Sequence, residues 1–255
     1  MDAEQGHVSG APEPASAPDS APLPRTVERP HRWGLGAFLL VGLVYLLVAK
    51  IYMMFVGDGP LPASTLAVAV AVPTMSAAGV AVLITKLRGN GPRVDLRLQW
   101  SARSFLLGLA FGMGGLFITI PAAIVYVLIL GDDANSAVGE MFGGVRSTWT
   151  WAVIVFVIVA FIGPLCEEIV YRGLLWGAID WRWGRWAALA ITTVVFALAH
   201  LEPTRIPLLL IAAIPIGLAR MYTGGLLASI VAHQVANLIP ASLIMLAMAG
   251  VMPAV

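Results

Sequence analysis

The chain is 255 residues long, 59% hydrophobic and only 11% charged, with a formal net charge of +1 and a mean hydropathy of +0.89. A soluble domain needs a charged surface that such a composition cannot provide, so the class is a polytopic, all-α membrane protein, with no case for a nucleic-acid partner. The one cysteine, Cys166, excludes an internal disulfide and reads as a packing residue.

Residues 1–31 are rich in Ala, Pro, Ser and Glu, lack an apolar run long enough for a signal-peptide core, and are expected to form a disordered cytosolic tail. Residues 32–255 form the expected transmembrane domain. Dividing it at charges, Gly and Pro, with about 20 residues per crossing, gives eight segments. Four fall near 34–57, 62–85, 104–130 and 149–176, the last running on toward Trp181. Two more lie near 185–200 and 205–223, and two share 225–253 around Pro240, where one long kinked helix is the alternative. Gly112, Gly114 and Gly115 permit close helix contact, and Met245, Met248 and Met252 read as packing residues.

Basic residues set the orientation. Arg25, Arg29 and Arg32 precede the first helix, and Lys86, Arg88, Arg93, Arg97 and Arg103 fill the second loop, so both belong inside. Alternation then places Arg182, Arg185 and Arg220 inside and Asp58, Asp132, Asp133, Glu140 and Glu202 outside, with Arg146 and Arg205. A bacterial plasma membrane with a cytosolic N-terminus fits this pattern and the Ala/Pro-rich tail.

Charge within a membrane span is expensive and marks function by default. Glu167, Glu168 and Arg172 lie in the fourth segment, His200 in the fifth and His233 in the last. The other two histidines, His7 and His31, fall in the tail. Helices four and five should turn back at Trp183-Gly184, which makes Glu167 and His200 level because their midpoint falls at that turn. If helix four emerges near Trp176, Glu167 lies about 13 Å deep at 1.5 Å per residue, and His233, nine residues past Gly224, about the same. His200, counted from Trp186, comes out deeper, at about 21 Å. The site is thus expected within the membrane, nearer the cytosol.

Spacing of i, i+4 puts Glu168 with Arg172, His233 with Asn237, and Phe196 with His200 on shared helical faces. Glu168 and Arg172 should neutralise one another. Glu167 with His200 fits water activation by a carboxylate and an imidazole that share a proton, and His233 with the Asn237 amide are suitable oxyanion donors. The same Glu167, His200 and His233 could instead hold zinc with a water in the fourth position. Sequence does not separate the two, with a slight preference for metal-free chemistry. Glu202, before Pro203, reads as a loop residue.

The series Glu167-Glu168-x-x-x-Arg172, Phe196-x-x-x-His200 and His233-x-x-x-Asn237 resembles the three-motif pattern of the CAAX prenyl protease and bacteriocin-processing (Abi) family of intramembrane proteases. Residues Tyr222 to His233 are similar to that family's approach to its last motif, and the likeness spans about 145–240. It implies an endopeptidase in which Glu167 and His200 activate water while His233 and Asn237 stabilise the oxyanion. Glu168, Arg172 and Phe196 support them. The family has been described both as metal-dependent and as glutamate-type. It implies a membrane-embedded or membrane-anchored peptide or protein as substrate, prenylated in eukaryotic members and tied to peptide maturation and self-immunity in bacterial ones. A non-catalytic immunity or scaffold protein of the same fold is the rival, with an ion transporter behind it.

Overall fold

A computed structural model describes residues 32–57 and 59–253. The tail, with His7 and His31, lies outside the described residues.

The helices are α1 (Leu35–Met54), α2 (Ala63–Arg88), short α3 (Pro92–Asp95), α4 (Ala102–Leu130), short α5 (Ala137–Gly143), α6 (Trp149–Val157), α7 (Gly163–Glu168), α8 (Trp176–Ala199), α9 (Ile206–Thr223) and α10 (Leu226–Met248). Six stretches among the described residues are long and apolar enough to cross a membrane. One of them, Trp149–Ala199, has 51 residues, which at 1.5 Å each is about 75 Å and far exceeds one crossing. It folds back at Gly184, whose φ of +78° lies in the region that glycine adopts without penalty. The expected hairpin is therefore present, and among the described residues seven helical legs have the length and apolar character of a crossing.

The 225–253 region does not divide into two helices. α10 continues through Pro240 as one helix. A proline inside a transmembrane helix frees a carbonyl that neighbouring groups can satisfy, so it need not end the helix.

Contacts sort the loops into two ends. At one, the Arg32 N–H donates to the Arg88 carbonyl (2.8 Å), the Trp33 indole to Asp95 (3.0 Å), and the Leu226 N–H to the Arg97 carbonyl (3.0 Å). At the other, the Ala137 N–H donates to Glu202, and the Arg146 guanidinium caps the carbonyls of Ala247 and Met252. Arg32, Lys86, Arg88, Arg93, Arg97, Arg103, Arg182, Arg185 and Arg220 all belong to the first end, as the charge pattern anticipates.

Small residues let the bundle close. A Cβ at Gly108 would stand 2.7 Å from the Ala228 carbonyl oxygen, and one at Gly112 would stand 2.8 Å from Val235 Cβ, so α4 lies directly on α10. Gly115 seats Pro215 of α9 in the same way, whereas Gly114 meets nothing within 4 Å. Outward rows such as Leu39, Leu46, Phe117, Ile124 and Leu128 remain exposed, as expected of surfaces facing acyl chains. Among the packing methionines, Met248 is fully buried and Met245 packs beside it, while Cys166 sits in the core between Ile162 and Ile169.

Candidate active site

The chain carrying Glu167 and Glu168 is wound unevenly. α7 spans six residues and is flanked by two π-wound turns, Ile158–Ile162 and Ile169–Leu175. Pro164 has a local part in this, because it has no N–H to give to the carbonyls four and five residues before it. The Gly163 N–H reaches back five residues to the Ile158 carbonyl. The Val159 carbonyl, without the Pro164 N–H, instead accepts from the Asn237 side-chain amide of α10 at 3.1 Å. Gln234, one turn earlier on α10, donates to the Phe161 carbonyl at 3.4 Å. π-turns inside helices recur at functional sites, where they redirect side chains.

That winding brings four charged or titratable groups together. Glu168 and Arg172 are both fully buried and joined at 2.9 Å. The same Glu168 oxygen, Oε1, takes a second hydrogen bond from His233 Nδ1, also 2.9 Å. On the other face of the imidazole, His233 Nε2 stands 3.7 Å from Glu167 Oε2. Glu167 keeps 31% side-chain exposure, whereas His233 keeps 6%. One carboxylate is therefore sealed and fixes the ring, and the other is reachable.

Aromatic rings enclose this set. Phe196 lies under the Arg172 guanidinium (4.5 Å), edge-on to Tyr171 (5.3 Å), His233 (5.5 Å) and His200 (4.7 Å). Arg172 and Phe196 are each twelve residues from Gly184, so their contact confirms the hairpin register. His200 is half-buried, and its Nδ1 donates to the Phe196 carbonyl at 2.8 Å. That bond fixes the tautomer and leaves Nε2 as an acceptor.

Of the residues marked in the sequence, Glu167, Glu168, Arg172, Phe196 and His233 form one contiguous group. His200 joins through Phe196, and Asn237 joins through the π-wound backbone. Glu168 does more than neutralise Arg172, since it also orients His233. Among the described residues, no group of three or more His, Cys, Asp or Glu side chains stands out as a ready-made metal site, and both His200 and His233 pack edge-on to Phe196. Glu202 is a loop residue that pairs with Arg205 at 2.6 Å.

Trp176 is 1% exposed, whereas Trp181, Trp183 and Trp186 are exposed indoles around the Gly184 turn. Glu167 is as far before Trp181 as His200 is after Trp186, so counted from those two indoles both lie about 21 Å along their helices. Arg220, read as a boundary charge, is 5% exposed; its Nε donates to the Arg172 carbonyl at 3.0 Å and its guanidinium lies 5.3 Å from the Trp176 ring. Its place inside an apolar run is the signal for that role.

The fold and this cluster define an integral membrane protein with carboxylate and imidazole groups gathered inside the bundle. Residues 149–239 match the family model described as Type II CAAX prenyl endopeptidase Rce1-like. That stretch, which holds every residue of the cluster, is similar to the CAAX protease family. No curated protein and no solved structure matches the chain.

Proposed function

We propose that the protein is an intramembrane endopeptidase that hydrolyses a peptide bond in a membrane-associated peptide or protein, using water activated between Glu167 and His233. The observation that carries this reading is the 3.7 Å separation of Glu167 Oε2 and His233 Nε2. It is too long for a direct hydrogen bond. A water placed to one side reaches both atoms at about 2.8 Å each.

Charge supports the assignment. Arg172 and Glu168 cancel, so Glu167 and His233 need one proton between them for the whole group to be neutral in low dielectric. His233 Nδ1–H donates to Glu168, and a hydrogen on Nε2 points to the side of the ring that Glu167 occupies. Glu167 then takes a proton from the water as the hydroxide adds to the scissile carbonyl carbon. The resulting oxyanion accepts from the His233 Nε2–H, and the proton on Glu167 passes to the departing amine as the C–N bond breaks. Glu168 acts as the orienting carboxylate of a triad does, holding the ring by its far nitrogen. His200 Nε2, across Phe196, is a second acceptor for a proton leaving the site.

Asn237 has two N–H groups, and Val159 occupies one, so the amide can clamp the backbone and still offer a donor to the oxyanion. The basic end of the bundle faces the cytosol by the distribution of its charges.

The test is incubation of the purified protein, in detergent or liposomes, with a library of membrane-anchored peptides, read by mass spectrometry with and without a chelator. Endoproteolytic products that persist in chelator are expected. A scaffold protein yields none under any condition.

A further inference from the structure

About two helical turns beyond Glu167, toward the basic end, lies a cavity of about 500 Å³ bounded by Arg97, Trp176, Asp180, Arg185 and Arg220. Three guanidinium side chains face one carboxylate across it. Arg220 is 95% buried by neighbouring residues yet makes only one hydrogen bond to the protein among the described residues, through Nε to the Arg172 carbonyl. Its two terminal nitrogens, four N–H donors, have no protein acceptor among those residues, and Trp176 stacks beside the group at 5.3 Å. Its open donors border the polar cavity, where water or a bound oxyanion can accept from them.

Arg97 lines the same cavity from the loop before α4. It has a φ of +54°, in the left-handed region that non-glycine residues avoid. The Leu226 N–H on its carbonyl holds it there. Arg185 begins the leg that follows the Gly184 turn. Three separate segments, the loop before α4, the turn of the hairpin and the end of α9, therefore converge on one opening with planar donors.

We propose that this cavity binds a phosphate-class oxyanion, such as the headgroup phosphate of an anionic phospholipid. Guanidinium groups pair with phosphate in bidentate fashion, and basic pockets between transmembrane helices suit such headgroups. The exposed indoles of Trp181, Trp183 and Trp186 put the opening at headgroup level. Occupancy ties Arg220 down on both sides, and Arg220 holds the backbone of Arg172, the partner of Glu168.

The experiment is binding to the purified full-length protein in a neutral detergent, by native mass spectrometry and calorimetry, of phosphatidylglycerol, phosphatidylcholine and inorganic phosphate. It needs no proteolytic activity, so its outcome is independent of the reading above. One retained phosphatidylglycerol is expected, with the Arg97→Ala/Arg185→Ala double variant weakening binding at least tenfold. Asp180→Asn should tighten it, because it removes the one acid in the cavity. Binding of inorganic phosphate that competes with the lipid assigns the site to the anion itself, whereas lipid binding indifferent to phosphate assigns it to the whole headgroup. Failure of both phosphatidylglycerol and inorganic phosphate to bind, retention of phosphatidylcholine as tightly as phosphatidylglycerol, or binding by the double variant within twofold of the parent, overturns the proposal.

Discussion

Arg172→Met offers the sharpest test of how the buried cluster holds itself together. Glu168 and Arg172 are both fully buried and 2.9 Å apart, so removing the guanidinium leaves a buried carboxylate supported by His233 and the Ser229 hydroxyl alone. Breaking a buried pair from one side costs about 3–5 kcal/mol. The contact between Arg172 and the Phe196 ring, at 4.5 Å, adds about 1 kcal/mol. The single variant should therefore lose about 4–6 kcal/mol. The double variant Glu168→Gln/Arg172→Met leaves no isolated charge, and the oxygen of the introduced amide can still accept from His233, so at least half of that loss should return. Unfolding in mixed micelles, followed by tryptophan fluorescence, measures both. A single-variant loss under about 1 kcal/mol, or a double variant as unstable as the single, would refute the claim that mutual neutralisation secures this site.

Three further outcomes follow from the geometry. Glu168→Gln strands the buried Arg172 guanidinium and so should lose about 3–5 kcal/mol of stability, and the protein that remains folded should cleave about 100-fold more slowly or worse, since the carboxylate that aligns His233 is gone; an unchanged rate would leave the orienting role without support. Asn237→Ala should lower stability by about 1 kcal/mol, because the Val159 carbonyl loses its donor, and a loss of rate with no change in unfolding would assign Asn237 to the chemistry alone. Cysteines introduced at Arg93 and Met252 in a Cys166→Ala background should be labelled from opposite sides of the membrane, the first from the cytosol; labelling from the same side would mean an even number of passes.

The site's members are legible in the sequence for a physical reason: an ionisable residue in hydrocarbon carries too large a cost to be incidental, so Glu167, Glu168, Arg172, His200 and His233 stand out against an apolar background. The hairpin is legible as well, because Trp183-Gly184 with flanking arginines interrupts a run too long for one crossing. What stays hidden is how the members share bonds. Spacing pairs Glu168 with Arg172, but only the packing of α10 against the π-wound chain shows that one Glu168 oxygen serves both Arg172 and His233. Winding itself leaves no clear trace, since Pro164 is equally compatible with a kink, and the Val159 carbonyl that accepts from Asn237 has no signature in side-chain types. Pro240 misleads the division of 225–253 because a proline that would break a soluble helix is tolerated here. Arg220 reads as a boundary charge from its position in the topology, and its burial against Trp176 becomes visible only once three distant segments are brought together.

The most direct test of the account compares purified parent protein with Glu167→Gln in liposomes, on the same membrane-anchored peptide, with folding of both checked by unfolding. The substitution keeps the side chain's size and removes the base that takes the proton from water. The variant should fold like the parent and cleave at least about 1,000-fold more slowly. Cleavage by the variant at the parent's rate would contradict the assignment of Glu167 and, with it, the proposed chemistry.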